Sequence, residues 1–162
     1  MVILGIDPGT AAIGYGVVKM TDFKLRQRTR VKCLAYGLIE TSRNYSFPVR
    51  LKIISREIRA LIKNYRPSLI AIESVFFFKN LKTFIPVSRA EGVIILEAAK
   101  KNVPVIEFTP IQVKSIVANY GRAEKEVVQK RIKQILKLKE IPQPDDVADA
   151  LGVALCGVFS IR

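Results

Sequence analysis

The sequence predicts an α/β domain, a mixed β-sheet with helices packed against it. Three observations carry this expectation. The runs 2–7 (VILGID) and 69–73 (LIAIE) are short, continuous and apolar, and each ends in an acid, the pattern of strands buried on both faces. Downstream of the first strands, segments with helical spacing alternate with short apolar runs, which is how helices come to cover a sheet. Hydrophobic residues make up 49% of the 162 positions, enough for a substantial core in a single domain.

The elements follow in order. Segment 2–7 closes on Pro8-Gly9, a strand running into a tight turn. Residues 13–20 and 32–41 read as two further strands. Between them Lys24, Arg26, Arg28, Arg30 and Lys32 put a cation at every second position, which lines one face of an extended chain. This segment is either a DNA arm or a charged edge strand that resists sheet-to-sheet aggregation. From Val49 to Tyr65 apolar residues at 54, 58, 61, 62 and 65 mark an amphipathic helix. Ser88 and Glu91 have the spacing of a capping box and are expected to open a long apolar helix reaching about Lys101. Residues 103–108 form a short strand. Thr109, Pro110 and Gln112 make a second capping box with proline at the first helical position. A basic helix is expected from about Ala123 to Lys137 and a last helix from about Pro144 to Phe159.

Charge and absences narrow the function. Lysine and arginine number 27 against 14 aspartates and glutamates, a net charge of +13. A compact domain with that surplus repels itself and calls for a polyanionic partner, nucleic acid first and an anionic membrane surface second. The chain has no histidine, which excludes a Ser-His-Asp or Cys-His nucleophile and any histidine-ligated zinc. The two cysteines, Cys33 and Cys156, cannot supply a four-thiolate site and read as reduced core residues of a cytoplasmic protein. No secretory signal follows Met1, and no apolar stretch approaches the ~18 residues that span a bilayer. Arg162 follows closely on the last helix, so no additional domain is expected.

Catalysis must then rest on carboxylates, lysines, hydroxyls or an oxygen-ligated metal. Of five aspartates, Asp7 ends the first strand and Asp145, Asp146 and Asp149 cluster where the last helix begins. Glu73 ends another buried strand. Asp146 and Asp149, three apart, project from one helical face. Taken singly these acids have ordinary explanations: Asp145 or Asp146 as a helix cap, Glu73 as a partner for a lysine. Jointly they form a set of carboxylates that repel one another unless a divalent cation holds them. All-oxygen donors point to Mg²⁺ or Mn²⁺. Such a pocket on a basic surface suits metal-dependent hydrolysis of a phosphodiester.

Four blocks carry a family likeness. GIDPGTAAIGYGVV (5–18), AIESVFFFKN (71–80), PVIEFTPIQVKSIV with GRAEKEVVQ (104–117 and 121–129) and PQPDDVADALGVAL (142–155) together resemble the bacterial crossover junction endodeoxyribonuclease RuvC family. The likeness spans nearly the whole chain in order. It implies an RNase H-like fold over a single nuclease domain, residues 1–162. It also implies a homodimer that resolves Holliday junctions by paired symmetric nicks in two strands of like polarity. Two Mg²⁺ per subunit are implied, with Mn²⁺ able to substitute, and the branch-migration proteins RuvA and RuvB as partners.

By position, the resemblance makes Asp7, Glu73, Asp146 and Asp149 the catalytic and metal-binding acids. Asp145 is the neighbour that a one-residue slip would exchange with Asp146, and the DxxDAL spacing favours Asp146. Some relatives place a histidine here, so the aspartate keeps the site all-oxygen. Phe76 matches an aromatic that stacks on bases near the junction centre; core packing is the other explanation for the triplet Phe76 to Phe78. Lys114 and Lys125 match basic residues near DNA, with a solvated helix face as the alternative. The long apolar helix is implied to lie at or near a dimer interface, against simple burial within the monomer.

Three other readings share these residues. GIDPGT is similar to the first phosphate loop of actin-like ATPases and sugar kinases, but those enzymes need two lobes and a second such loop. A silent nucleic-acid-binding module leaves the acids without a role. Another RNase H-like nuclease, acting on ribosomal RNA precursors or RNA–DNA hybrids, is opposed only by blocks 104–129 and 142–155.

Overall fold

The computed structural model describes residues 1–22, 30–74 and 81–160. Its elements run β1 (Val2–Asp7), β2 (Ala12–Asp22), β3 (Arg30–Glu40), α1 (Phe47–Tyr65), β4 (Leu69–Glu73), α2 (Leu81–Ala99), β5 (Val105–Phe108), α3 (Pro110–Ala118), α4 (Lys125–Leu136) and α5 (Asp145–Ser160). The described strands form a five-stranded mixed sheet in the order β3-β2-β1-β4-β5. β1, β2 and β3 pair antiparallel, whereas β4 and β5 add in parallel beside β1.

Alternation along the strands sorts side chains between two cores. Leu4 and Ile6 of β1 and Ile70 and Ile72 of β4 face α1 and α2, where they meet Ile54, Ile58, Ile94 and Ala98. Ile3, Leu69 and Ala71 face the opposite side and pack with α3, α4 and α5. Asp7 and Glu73 share the parity of Ile3 and Ala71, so both acids fall on the face covered by α5.

Helix α5 is the centre of that layer, and Val147, Ala148 and every residue from Ala150 to Val158 are buried. It lies unusually close to the sheet because glycines meet it there. A Cβ at Gly14 would overlap the main-chain carbonyl of Asp146, and one at Gly5 would collide with the backbone at Ala150 and Ala154. The missing side chains of β1 and β2 therefore set the depth at which the acid-bearing helix sits.

One sequence expectation is corrected. α2 begins at Leu81, not at Ser88, and the Ser88–Glu91 pair lies within the helix and caps nothing. Proline at position 86 suggests a stop, but its missing N–H removes only one ladder bond, and the helix continues through it. Packing explains the tolerance: Ala90, Ile94 and Ala98 bury against α1, and the Arg89 guanidinium stands 5.9 Å from the Phe47 ring. The second capping box forms as expected. Thr109 accepts from the Gln112 amide at 3.2 Å, and the Gln112 side chain accepts from the Thr109 amide at 2.8 Å.

Of the cation-alternating segment, Arg30 to Lys32 open the edge strand β3, with Arg30 and Lys32 exposed; Lys24, Arg26 and Arg28 lie outside the described residues. Cys33 is half-buried and Cys156 fully buried, and both are unpaired. Among the described residues, no helix is long and apolar enough to cross a membrane.

Candidate active site

The acids meet at the carboxyl ends of the parallel strands. Gly5 and Ile6 of β1 pair with Ala71 and Ile72 of β4, so Asp7 and Glu73 leave adjacent strands at the same height. The opening turns of α5 bring Asp146 and Asp149 over that edge, because Gly14 admits the Asp146 backbone onto β2.

Electrostatics record the crowding. Burial, followed by the charges of Glu73, Asp149 and Asp146, pushes the Asp7 carboxyl up to about 8, with Lys125 opposing. Burial and Asp149 push Glu73 up to about 7, against the pull of Lys125 and Lys114. Asp149 is also raised, chiefly by burial, although Lys125 draws it back. Carboxyls pushed this far toward neutrality by burial and then by one another are stabilised as anions when a cation enters among them.

Lys125, at the start of α4, is the cation already present. Its Nζ stands 3.0 Å from Asp149 Oδ2 and 3.1 Å from Asp145 Oδ2. Burial works against this ammonium, but Asp149 and Asp145 hold its pKa above the ordinary lysine value. Asp145 differs from its neighbour. Its exposed carboxylate accepts from Gln129 Nε2 at 2.9 Å, and Lys125 and Gln129 hold its pKa below the usual range. Asp146, rather than Asp145, is the residue whose charge reaches Asp7.

Of the four acids named from the sequence, Asp7 is thus within electrostatic reach of the other three, Lys125 acts on Asp7, Glu73 and Asp149, and Lys114 acts on Glu73. Phe76 lies outside the described residues. Among the described residues no three acids are drawn in around a single point as a ready metal cluster; Asp149 is turned to Lys125 instead. The donor chemistry nonetheless fits a hard divalent cation: carboxylates only, partly buried, mutually repelling.

Sequence reasoning missed Gln129 and the glycine groove. Gln129 is a buried polar residue on an otherwise basic helix, and nothing local marks it. The groove did leave a signal, since Gly14 and Gly16 recur with the strand period and clear one face of β2.

The family model for crossover junction endodeoxyribonuclease RuvC matches residues 3–157. The chain belongs to the RuvC family. A crossover junction endodeoxyribonuclease RuvC from Syntrophomonas wolfei is 46% identical over 162 residues, covering 100% of this chain and 91% of that protein. The Thermus thermophilus RuvC structure superposes with a TM-score of 0.90 at 33% identity, over 98% of this chain and 94% of the other. T. thermophilus RuvC in complex with a Holliday junction substrate gives a TM-score of 0.87 at 31% identity, with the same coverage of 98% and 94%. The mixed sheet with helices on both faces is accordingly the RNase H-like fold expected from the sequence. Membership makes the chain a nuclease of the crossover-junction class.

Proposed function

We propose that this protein resolves Holliday junctions as a metal-dependent endonuclease, introducing symmetric nicks in two strands of like polarity during recombination and repair. The observation that carries the reading is the meeting of Asp7, Glu73, Asp146 and Asp149 at one sheet edge, in a chain of net charge +13 belonging to the RuvC family. Those four residues are proposed to hold two Mg²⁺, with Mn²⁺ able to substitute. When bound, the ions supply the charge that activates water and offsets the anion developing at the scissile phosphate.

The protein's own groups do the rest. Asp7 and Glu73 leave strands fixed by the sheet, and the buried face of α5 fixes the backbone that carries Asp146 and Asp149, so gathering the ligands needs only side-chain turns such as release of Asp149 from Lys125. Lys125 and Lys114 lie beside the acids and are assigned to the DNA backbone, drawing phosphate toward carboxylates that would otherwise repel it. Phe76 is assigned to bases at the junction centre on the family likeness alone.

Paired nicks require two sites, and the outer face of α2 suits a second copy of the chain. Ile85 and Leu96 are half-exposed there, 50% and 52%, with exposed Gly92 between them. The proposed assembly is a homodimer of single nuclease domains. It acts in the bacterial cytoplasm, where the unpaired cysteines stay reduced, alongside the branch-migration proteins RuvA and RuvB.

The test is cleavage of a synthetic four-way junction against linear duplex and RNA–DNA hybrid, in Mg²⁺ and in chelator. Symmetric nicks on the junction alone, abolished by chelator, are the expected result. Cutting of the hybrid would move the protein to another RNase H-like activity. Tight binding without cutting in either ion would leave a binding module.

A further inference from the structure

An aromatic platform lies beside the acids, outside the residues assigned above. α3 leaves the carboxyl end of β5, whose last residue binds the chain just past Glu73: the Ser74 amide donates to the Phe108 carbonyl at 2.9 Å. The first turn of α3 therefore sits on the same sheet edge as Asp7 and Glu73. Ile111, in that turn, is 67% exposed, and Tyr120, beyond the helix end, is 60% exposed. With Gly121 and Arg122 they line an open hollow of about 520 Å³. Single exposed apolar side chains are commonplace, but a neighbouring aromatic and isoleucine beside a guanidinium are a recognisable surface.

The platform is rigidly built. Asn119 ends α3 in the left-handed region with φ 59°, and the Ala123 amide closes a turn onto the Tyr120 carbonyl at 3.0 Å. Ala123 is buried and anchors that turn. Gly121 fits against α3 so closely that a Cβ there would lie 2.8 Å from Ser115 Oγ and 3.1 Å from Ile111 Cγ2. Among the described residues, neither the Tyr120 nor the Arg122 side chain has a hydrogen-bond or ion-pair partner. Lys114, one turn along α3 from Ile111, and Lys125, three residues past Arg122, both act on Glu73 and tie this stretch of chain to the acids.

We propose that this hollow holds one unpaired or splayed nucleotide of the DNA strand entering the acid cluster. Its base lies on the Tyr120 ring and Ile111, and its phosphate on Arg122. The assignment rests on the nuclease reading for the identity of the strand. The chemistry stands apart from it: an exposed ring beside an exposed guanidinium, on the chain segment that also carries Lys114 and Lys125, matches a base and its phosphate. A duplex presents its bases edge-on and stacked, so the platform favours strand regions where pairing is broken.

The experiment measures binding in chelator, so that no cleavage intervenes, to a four-way junction, a linear duplex and a single strand. The single strand carries 2-aminopurine at successive positions. Tyr120→Ala is expected to weaken junction and single-strand binding roughly ten-fold, within the range of one lost base stack, and to leave duplex binding within about two-fold. Tyr120→Phe is expected to restore binding, since stacking uses the ring and not the hydroxyl. One 2-aminopurine position is expected to be quenched by the parent protein and released by Tyr120→Ala. The ring is mostly exposed, so an unchanged melting curve separates this effect from misfolding. Equal losses on junction and duplex, no loss at all, or a phenylalanine variant no better than alanine would each overturn the proposal. Tyr120-dependent binding in a protein that cuts nothing would instead overturn the nuclease reading and leave this one standing.

Discussion

Glu97 is a buried charge whose contribution can be worked through. It lies on α2 with its side chain 3% exposed, and it reaches α1 through Ser55 Oγ at 2.8 Å and Arg59 Nε at 3.2 Å, with Lys100 Nζ at 3.0 Å. Burial alone would raise its pKa, but the hydrogen bonds from Arg59, Lys100 and Ser55 outweigh that and hold it at about 2 instead of 4.5. That depression corresponds to about 3 kcal/mol favouring the charged folded state. Arg59 and Lys100 are half-exposed, so solvent screening brings the expected figure to about 2 kcal/mol. The folded pKa lies below the unfolded one, so this stability is full above pH 4.5 and disappears as pH falls through about 2. Glu97→Gln keeps the shape and removes the charge. It should lower the midpoint of thermal unfolding by about 4–8 °C at neutral pH, given about 2–4 °C per kcal/mol for a domain of this size. Urea titrations of both proteins from pH 7 to pH 3 should show the gap narrowing toward acid. A gap that is absent, or constant with pH, would refute the argument that charge-assisted bonds clip α2 to α1.

Other outcomes follow from the site. Asp7→Asn removes one of several mutually repelling acids, so it should abolish junction cleavage while raising the melting temperature in chelator; cleavage near the parent rate would remove Asp7 from the site. Gly14→Ala forces a Cβ into the Asp146 carbonyl, and a shift of roughly 1 Å in the acid helix should cost about 100-fold in cleavage, with junction binding retained. Parent-like rates would show that the groove does not set the acids. Lys125→Ala should reduce the salt dependence of DNA binding by about one unit of logarithmic slope, as expected for one lost phosphate contact; an unchanged slope would confine Lys125 to its ion pairs with Asp145 and Asp149.

Legibility in the sequence followed the range of the physics. β1 and β4 were readable because burial on both faces leaves a continuous apolar run, and the terminal acids of those runs stand out against it. The α3 capping box was readable because its bonds span three residues. The Ser88 box misled for the same local reason: two residues with capping spacing look alike whether or not a helix already runs through them, and packing against α1 decided the matter. The pairing of Lys125 with Asp149 joins residues 24 apart in sequence, and no periodicity announces it. The distinction between Asp145 and Asp146 was half legible. Spacing favours Asp146, whereas the contacts that hold Asp145 to Gln129 and Lys125 depend on how α4 docks on α5. Glu97 went unremarked as a lone acid in an apolar stretch, its partners lying on another helix.

The depth of α5 has a consequence for how the enzyme fails. Two of its acids stand on the first turns of a helix whose remaining length is almost wholly enclosed between sheet and helices. Such an element cannot open by itself: its amide protons should exchange only when the entire domain comes apart. Heat should therefore not wear the proposed catalytic centre away ahead of the fold, as it does in proteins whose ligands hang on loops. Activity and native structure should vanish at one temperature, in a single cooperative step. By the same token, a cavity opened at Leu155, two turns beyond Asp149, should register in cleavage only through the fraction of molecules left folded.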